Sequence, residues 1–352
     1  MSSEEVPVYA CVCFALPTRV MSKLAERTEG VHRERLIAHI EACKSMRGDR
    51  LQPQATALMC TPNRSRNRTL FDARNSTRLP GTRLRKEGEP PVADESANQA
   101  YDNTGIALDF FHEVFNRVSL DGQGMHVDST VHYGRDFTNA MWTGRQMVFG
   151  DGHADHVIGF THSLDITAHE LTHGLTHLMV PGGLGVVRKA GKVELQGEAG
   201  ALNESISDVF ASMVKQWHAR QSVREANWLV GEGILAPQYG AAIRSLKAPG
   251  DRRVTWFEDD QPRDMSGYID GGDTHTNSGI PNHAFYLAAD ALGGYSWQTL
   301  GPVWYQALDM IDSRTGFRDF AYATLDGAAM IYGPKAREVQ ATEHAWKKVR
   351  VI

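Results

Sequence analysis

The sequence predicts an α+β protein in which a β-rich lobe is followed by a mainly helical lobe. Between about residues 66 and 164, short extended segments alternate with Gly/Asp turns, as in "VHYGRDF" and "QMVFGDGHAD". From residue 165 onward, apolar residues recur mainly at helical spacing. A smaller helical unit and a linker precede both lobes. These patterns divide the chain into residues 1–60, 61–164 and 165–352.

The N-terminal unit is predicted as one helix or a helical pair over residues 20–46. Its apolar residues lie near helical spacing: Leu24, Val31, Leu36, Ile37, Ile40, Cys43 and Met46. The stretch that follows, "RGDRLQPQATALMCTPNRSRNR", mixes Pro, Asn, Ser and Arg without periodicity, which is typical of a linker.

The same spacing predicts the helices of the two lobes. In the β-rich lobe, one helix carries an apolar stripe of Ile106, Phe110, Phe111, Val114, Phe115 and Val118. In the second lobe, we expect helices over residues 165–179, 200–218, 279–293, 301–311 and 317–331.

Composition narrows the class of protein. The 352 residues carry a formal net charge of -5, which gives no support for a nucleic-acid or anionic-membrane partner. Cys11, Cys13, Cys43 and Cys60 are the four cysteines, and their position in the first 60 residues is unlike a disulfide framework. The apolar stretch of residues 6–17 follows acidic residues, so no signal peptide is predicted. No run approaches the roughly 18 apolar residues that cross a bilayer, and we expect a soluble protein.

The stretch "DITAHELTHGLTHLM" contains His169, His173 and His177 at four-residue spacing on a predicted helix. His169-Glu170-x-x-His173 is the H-E-x-x-H pattern, in which two imidazoles one turn apart aim at one zinc ion and the glutamate reaches its water. All three histidines cannot easily share one ion, because the outer pair is separated by about 12 Å along the axis. We therefore expect His177 to be a spectator and a third ligand to come from elsewhere.

The segment "GALNESISD" is the best source of that ligand. Glu204 and Asp208 are four residues apart, so both carboxylates lie on one helical face. One can bind the metal while the other holds a ligand imidazole through its free N–H. A third element, "YIDGGDTHTNSGI", contains His275, with Asp270 five positions earlier as a carboxylate that could orient it.

Four segments in this order, "NAMWTGRQMVFGDG", "DITAHELTHG", "GALNESISD" and "GGDTHTNSGI", resemble the thermolysin-like zinc metalloendopeptidases. The resemblance runs from about Arg68 to the C-terminus. The short N-terminal unit resembles the compact prosegment of the protealysin branch, so residues 1–60 are interpreted as prosegment and linker. The implied fold has two lobes joined by the H-E-x-x-H helix.

The resemblance implies roles for individual residues. The zinc ligands would be His169, His173 and Glu204, with Glu170 activating the water and Asp208 supporting a ligand imidazole. His275, oriented by Asp270, would stabilise the oxyanion. Substrate would be bound by a further set of residues: Asn139 and Ala140 on an edge strand, Arg244 at a substrate carbonyl, and an apolar pocket of Phe160, Ile166, Val230 and Ile243. Cleavage before bulky hydrophobic residues is the expected specificity.

Three features depart from the family pattern. Leu195 occupies a position where the family usually has a tyrosine that serves as a second oxyanion donor. The segment between His173 and Glu204 is about ten residues longer than usual, with the glycine-rich "PGGLGVVRKAG". The calcium pair typical of thermolysin loses three positions to Lys215, Asn227 and Leu229, although Asp165 and Glu232 remain. We therefore predict one catalytic zinc and no double calcium site.

The sequence thus indicates a zinc-dependent neutral endopeptidase made as a latent, self-processed proenzyme. Cleavage is expected near residues 50–65, where Leu51 and Leu58 offer hydrophobic sites. Cys13 could bind zinc in the precursor, or it could be a small buried hydrophobe. Expected partners are polypeptide substrates and the chain's own prosegment, and we expect a monomer that is either secreted or cytoplasmic. The alternative function is a catalytically weakened zinc-binding scaffold that acts as a binding protein.

Overall fold

The computed structural model describes residues 13–46, 66–189 and 192–352, without the side chains of Cys13, Arg188, Lys189 and Lys192. Leu51, Leu58 and most of the apolar stretch of residues 6–17 lie outside these ranges. The predicted fold class is confirmed: a β-rich region precedes a helical region. In the described ranges, no helix is both long and apolar enough to cross a bilayer.

The elements are numbered along the chain. The strands are β1 (Cys13–Phe14), β2 (Arg68–Asp72), β3 (Thr82–Lys86), β4 (Val127–Val131), β5 (Ala140–Trp142), β6 (Gln146–Phe149), β7 (Val186–Lys189), β8 (Lys192–Leu195), β9 (Leu229–Val230) and β10 (Arg244–Ser245). The helices are α1 (Thr18–Glu26), α2 (Gly30–Met46), α3 (Glu95–Phe115), α4 (Leu164–Met179), α5 (Gly197–Ala219), α6 (Thr274–Asn277), α7 (Gly279–Leu292), α8 (Ser296–Thr299), α9 (Gly301–Leu308), α10 (Phe317–Tyr332) and α11 (Arg337–Lys348).

The principal sheet has the strand order β1-β5-β6-β4-β2-β3. Strands β2, β4 and β6 run parallel, whereas β3 and β5 pair antiparallel with their neighbours. The edge next to β5 is occupied by β1, so the N-terminal unit contributes a strand to the sheet in addition to its predicted helical pair. Without β1, the backbone groups of β5 on that side would lack a strand partner.

Helix α4 lies in the interior of the protein. Every residue from Asp165 to Thr176 is buried, including both histidines and the glutamate of the H-E-x-x-H pattern. Helix α5 packs against it and is buried over most of its length. Polar groups placed on these two helices therefore need partners inside the protein, because water cannot solvate them.

Two regions differ from the sequence-based expectation. The glycine-rich insertion forms an antiparallel hairpin of β7 and β8, in which Val186 pairs with Leu195. The C-terminal helix α11 was not predicted, because its sequence "REVQATEHAWKK" is mostly polar and buries only four side chains. Among these, Trp346 is fully buried and donates its indole N–H to Thr324 of α10.

Lys215 of α5 places its ammonium among oxygen atoms of three residues. Its Nζ lies 3.4 Å from Oδ2 of Asp165, 3.2 Å from Oε2 of Glu232 and 3.3 Å from the carbonyl oxygen of Leu229. Asn227 donates a further hydrogen bond to Glu232. The buried carboxylate of Asp165 thus has a cation supplied by the chain itself.

His132 is held between two carboxylates in the β-rich lobe. Its Nδ1 lies 2.8 Å from Asp151 and its Nε2 lies 2.7 Å from Asp94, the residue that caps α3. The hydrogen bond with Asp151 raises the pKa of His132 to about 9, with Asp94 adding to the shift and burial opposing it. The charged imidazole therefore links the N-terminus of α3 to the loop after β6.

This linkage predicts a pH-dependent effect of His132→Gln on stability. Because the pKa of His132 is raised in the folded state, its contribution is fully present below pH about 6.5 and is lost as pH rises through about 9. We expect the variant to lose about 1–3 kcal/mol of unfolding free energy at pH 6 and far less at pH 9.5, measured by urea denaturation. An equal loss at both pH values would contradict the assigned charge.

Candidate active site

Helices α4 and α5 bring three ligand-type side chains together. The Nε2 atoms of His169 and His173 are 3.1 Å apart, and Oε2 of Glu204 lies 3.4 Å and 3.6 Å from them. A tetrahedral zinc ion with ligands at 2.0–2.1 Å separates its ligand atoms by about 3.3 Å. The three donors therefore have the spacing and the chemistry of a zinc site.

Each imidazole is oriented through its other ring nitrogen. Nδ1 of His169 lies 2.9 Å from Oδ1 of Asp208. Nδ1 of His173 lies 2.8 Å from the side-chain oxygen of Asn203 and 3.1 Å from the hydroxyl of Ser207. Partners on Nδ1 leave Nε2 of each ring directed at the shared point, as ligand histidines require.

Asp208 is itself held in place by two other side chains. Arg244 donates to both of its oxygens, at 2.9 Å and 2.8 Å, and Asn282 donates at 2.9 Å. Burial opposes ionisation, but the guanidinium of Arg244 and the imidazole of His169 hold the pKa of Asp208 well below its usual range. The carboxylate therefore stays charged in a fully buried position.

Glu204 has a buried oxygen that no hydrogen-bond donor satisfies. Its Oε2 lacks a hydrogen-bond partner although it lies among the imidazoles of His169, His173 and His275. Burial opposes ionisation, yet the neighbouring histidines hold the pKa of Glu204 well below its ordinary value. A charged, unpaired oxygen at this point fits a metal ligand, because a cation satisfies it without a donated hydrogen.

Glu170 lies beside the same point but is held differently. Its Oε2 accepts a hydrogen bond of 2.8 Å from the backbone N–H of Trp142 in β5, and its Oε1 is buried without a partner. One of its oxygens lies within 4.8 Å of ligand atoms of His169 and His173. Burial raises the pKa of Glu170 to about 8. The carboxyl group can therefore exchange a proton near neutral pH.

His275 reaches the cluster from α6, with its Nε2 3.3 Å from Oε2 of Glu204. We expected Asp270 to be the partner of this ring, but the structure places Asp273 there: Nδ1 of His275 lies 3.2 Å from Oδ1 of Asp273. Asp270 is exposed in the turn before α6. Asp273 caps α6 by accepting the backbone N–H of His275, which brings its carboxylate next to the ring.

Asn139 and Ala140, predicted to bind substrate backbone, bind the N-terminal unit in this structure. The side chain of Asn139 accepts from the N–H of Leu16 at 2.8 Å and donates to its carbonyl at 2.9 Å. The carbonyl of Ala140 accepts from the N–H of Ala15 at 2.9 Å. The backbone of Cys13 pairs with Trp142, while its side chain lies outside the described part of the structure. An extended segment thus lies along β5.

The four residues predicted to line the substrate pocket are apolar and buried, and one of them, Ile243, lines a cavity beside the N-terminal unit. Strands β9 and β10 bring Val230 next to Ile243, and both side chains are buried, as are Phe160 and Ile166. Pro17 and Val20 line a small cavity together with residues of the two lobes, which are together called the catalytic unit. These residues include Ile243, Arg244, Asp273 and His275. Nη1 of Arg244 is buried without a hydrogen-bond partner. It is the one guanidinium nitrogen of Arg244 that has no bond to Asp208.

Sequence reasoning missed five residues that support the site: Trp142, Asn203, Ser207, Asp273 and Asn282. Asn203 and Ser207 could have been found, because they repeat the four-residue spacing of Glu204 and Asp208 one position earlier. Trp142 acts through its backbone N–H, which leaves no signal in the side-chain sequence. His177, expected to be a spectator, lies one turn beyond His173 and beside Gly183.

Comparisons with known proteins agree with this geometry. Residues 52–177 match the family described as "Thermolysin metallopeptidase, catalytic domain", and residues 191–351 match "Thermolysin metallopeptidase, alpha-helical domain". An extracellular metalloprotease of Pectobacterium carotovorum is 36% identical, with 97% of this chain and 96% of that protein covered. A thermolysin of Alicyclobacillus acidocaldarius is 34% identical over 80% of this chain, which spans 50% of that relative.

Among solved structures, the precursor of protealysin, a metalloproteinase from Serratia proteamaculans, superposes with a TM-score of 0.84 at 36% identity. The match covers 97% of this chain and 100% of that chain. Three findings agree: the H-E-x-x-H helix, the carboxylate of Glu204 on α5, and metalloprotease relatives that cover nearly the whole chain. The chain belongs to the thermolysin family of metallopeptidases and is a metalloendopeptidase.

Proposed function

We propose that the protein is a zinc-dependent neutral endopeptidase made as a latent proenzyme. The observation that carries this proposal is the position of the three-ligand cluster and Glu170 directly beside β5, which already pairs with an extended segment of the chain. A site that can activate water and a strand edge that binds a peptide backbone are the two requirements of peptide hydrolysis.

His169, His173 and Glu204 would hold the zinc ion. When bound, zinc supplies Lewis-acid chemistry that polarises the scissile carbonyl and acidifies water. The chain contributes the geometry: Asp208, Asn203 and Ser207 fix the two imidazoles, and the buried α4–α5 contact keeps bulk water away from their Nδ1 atoms.

Glu170 would transfer the proton from water to the leaving amine. The backbone N–H of Trp142 fixes one oxygen of the carboxylate and leaves the other without a partner. A pKa of about 8 allows the group to gain and lose a proton near neutral pH. His275, positioned by Asp273, would face the oxyanion with its Nε2.

Polypeptide substrates would bind along β5 in place of the prosegment. Asn139 and Ala140 already bind backbone N–H and carbonyl groups there, and Nη1 of Arg244 is available for a substrate carbonyl. The apolar pocket of Phe160, Ile166, Val230 and Ile243 favours cleavage on the N-terminal side of a bulky hydrophobic residue. Such a pocket discriminates by about 1–3 kcal/mol per methylene, so specificity should be broad.

The N-terminal unit would keep the enzyme latent by filling the strand edge and the pocket. Removal would follow cleavage by the enzyme itself within residues 50–65, where Leu51 and Leu58 are the candidate positions. Cys13 remains a candidate zinc ligand in the precursor. Its backbone pairs with Trp142, the residue whose own N–H donates to Glu170. The relative named as an extracellular metalloprotease supports secretion of this chain.

A second candidate function is a zinc-binding scaffold with little catalytic activity. Leu195 favours it, because this position ends β8 close to α6 and offers no hydroxyl to an oxyanion. Loss of one such donor costs about 10²- to 10³-fold in turnover. His275 supplies the other donor, which is why we favour the enzyme.

The first prediction concerns Glu170→Gln. We expect the variant to bind zinc with the stoichiometry of the wild type while casein hydrolysis falls by about 10²- to 10⁴-fold, because the proton acceptor is lost. Self-cleavage, followed by N-terminal sequencing, should stop in the variant and in wild-type protein treated with a zinc chelator. Wild-type protein that is freed of its prosegment and holds zinc, yet remains inactive, would favour the scaffold.

A second prediction separates the two carboxylates near His275. Loss of an oxyanion donor costs about 10²- to 10³-fold in kcat, and Asp273→Asn should lower kcat by less than that. KM should change less than kcat. Asp270→Asn is the matched control and should have the smaller effect, because the carboxylate in contact with the ring of His275 is that of Asp273. The reverse order of the two variants would show that Asp270 orients the ring.

We further propose that Lys215 of α5 replaces calcium in stabilising the helical lobe. The melting temperature of the wild type should not change with calcium or with a calcium chelator, since the ammonium already neutralises Asp165 and Glu232. Lys215→Met should lower the unfolding free energy by about 1–3 kcal/mol. Lys215→Glu, which adds a carboxylate to the same oxygens, should make the melting temperature calcium-dependent. A calcium-dependent wild type would refute the proposal.

A further inference from the structure

The prosegment helix α2 meets the catalytic unit at a cluster of imidazoles away from the active site. His32, on the first turn of α2, packs against His153, which lies in the loop after β6 together with Asp155. We propose that His32, His153 and Asp155 form a second metal site, and that a divalent transition-metal ion bound there fastens the prosegment to the catalytic unit. These three residues are called the interface cluster below.

The interface cluster brings three ligand-type side chains near one another. The ring centroids of His32 and His153 are 4.1 Å apart with the planes inclined at 44°, and Nδ1 of His153 lies 3.5 Å from a carboxylate oxygen of Asp155. Each residue offers one ligand atom, and the three atoms lie within 4.8 Å of one another. To bind one tetrahedral ion, the three ligand atoms would move to about 3.3 Å from one another.

A neighbouring histidine provides an independent observation. His156 is 4% exposed, its ring lies 6.0 Å from that of His153, and it lines the same small cavity as His32 and His153. The hydroxyl of Thr28 donates to the carbonyl of Leu24, so it accepts from Nε2 of His156. Nδ1 of His156 is then a lone-pair nitrogen, and it is buried without a partner. This unpaired buried nitrogen lies next to the interface cluster, outside the three atoms that lie within 4.8 Å of one another.

The ligand types select the class of ion. Two imidazoles with one carboxylate suit Zn²⁺, Co²⁺ or Ni²⁺, whereas Ca²⁺ and Mg²⁺ prefer six or more oxygen ligands. The side chain of His153 is 30% exposed and that of Asp155 is 69% exposed, so an ion can enter from solvent. Zinc is the ion that the chain already requires at its active site, and it is the probe we choose.

The interface cluster exists only while the prosegment is in place. His32 belongs to the prosegment, whereas His153 and Asp155 belong to the catalytic unit. An ion that binds both sides stabilises the joined form by the factor 1 + [M]/Kd, which is about tenfold at a metal concentration ten times Kd. Thr28–His156 and the ion pair of Arg35 with Asp136 hold the same interface without metal. Metal would thus adjust how long the prosegment stays bound, a consequence that rests on the proposed latency.

The first test measures binding in full-length Glu170→Gln proenzyme, which keeps its prosegment. After dialysis against zinc, we expect two zinc ions per chain by elemental analysis, and one after the further change His32→Ala or His153→Ala. His39→Ala is the matched control, because His39 lies on the same helix and lines the same cavity but is outside the interface cluster. It should retain two ions. One ion in the parent, or two in His32→Ala, would overturn the site.

The second test measures maturation in chains with an intact Glu170. Wild type and His32→Ala yield the same mature enzyme, because the substitution leaves with the prosegment, so any difference arises before cleavage. Zinc at ten times Kd should slow release of the wild-type prosegment about tenfold and that of His32→Ala much less. Equal slowing would overturn the fastening role. If neither chain self-processes, the proposed function fails, while the binding test still decides the site.

Discussion

The site depends on one buried electrostatic chain: Arg244 binds both oxygens of Asp208, and Asp208 binds Nδ1 of His169. All three groups are excluded from water, so each charge must be compensated by its neighbour rather than by solvent. This chain fixes the ring of His169 and keeps its Nε2 directed at the point shared with His173 and Glu204. Removing one member would leave a buried charge unpaired and would disturb the imidazole at the same time.

The sequence predicts the centre of the site well because one helical period sets it. His169 with His173, and Glu204 with Asp208, are each four residues apart on helices, so the spacing alone places their side chains on common faces. The approach of α4 to α5 could not be derived from spacing; it followed from the resemblance. The sequence pointed to Asp270 as the partner of His275, whereas Asp273 contacts the ring in the structure. Which carboxylate reaches the ring depends on the path of the turn before α6, and the number of residues between two positions does not determine their distance there.

Long-range contacts explain most of what the sequence did not predict. The described part of β1, Cys13–Phe14, pairs with a strand more than 120 residues away, so no local pattern indicates it. The hairpin of β7 and β8 lies in a glycine-rich stretch whose alternation is too short to separate from a loop. The N-terminal unit pairs with the sheet at the edge where a peptide substrate would bind, so the contact that completes this edge is also the contact that would block the site.

The pairing of β1 with β5 joins two parts of one chain, which has a consequence for the site. Because the N-terminal unit and β5 are covalently connected, the occupant of this strand edge is present at an effective concentration that dilution of the protein does not change. A cut in the chain between the N-terminal unit and β2 would convert that intramolecular occupant into an ordinary ligand. The occupancy of the edge would then depend on protein concentration, so dilution alone would favour an open site.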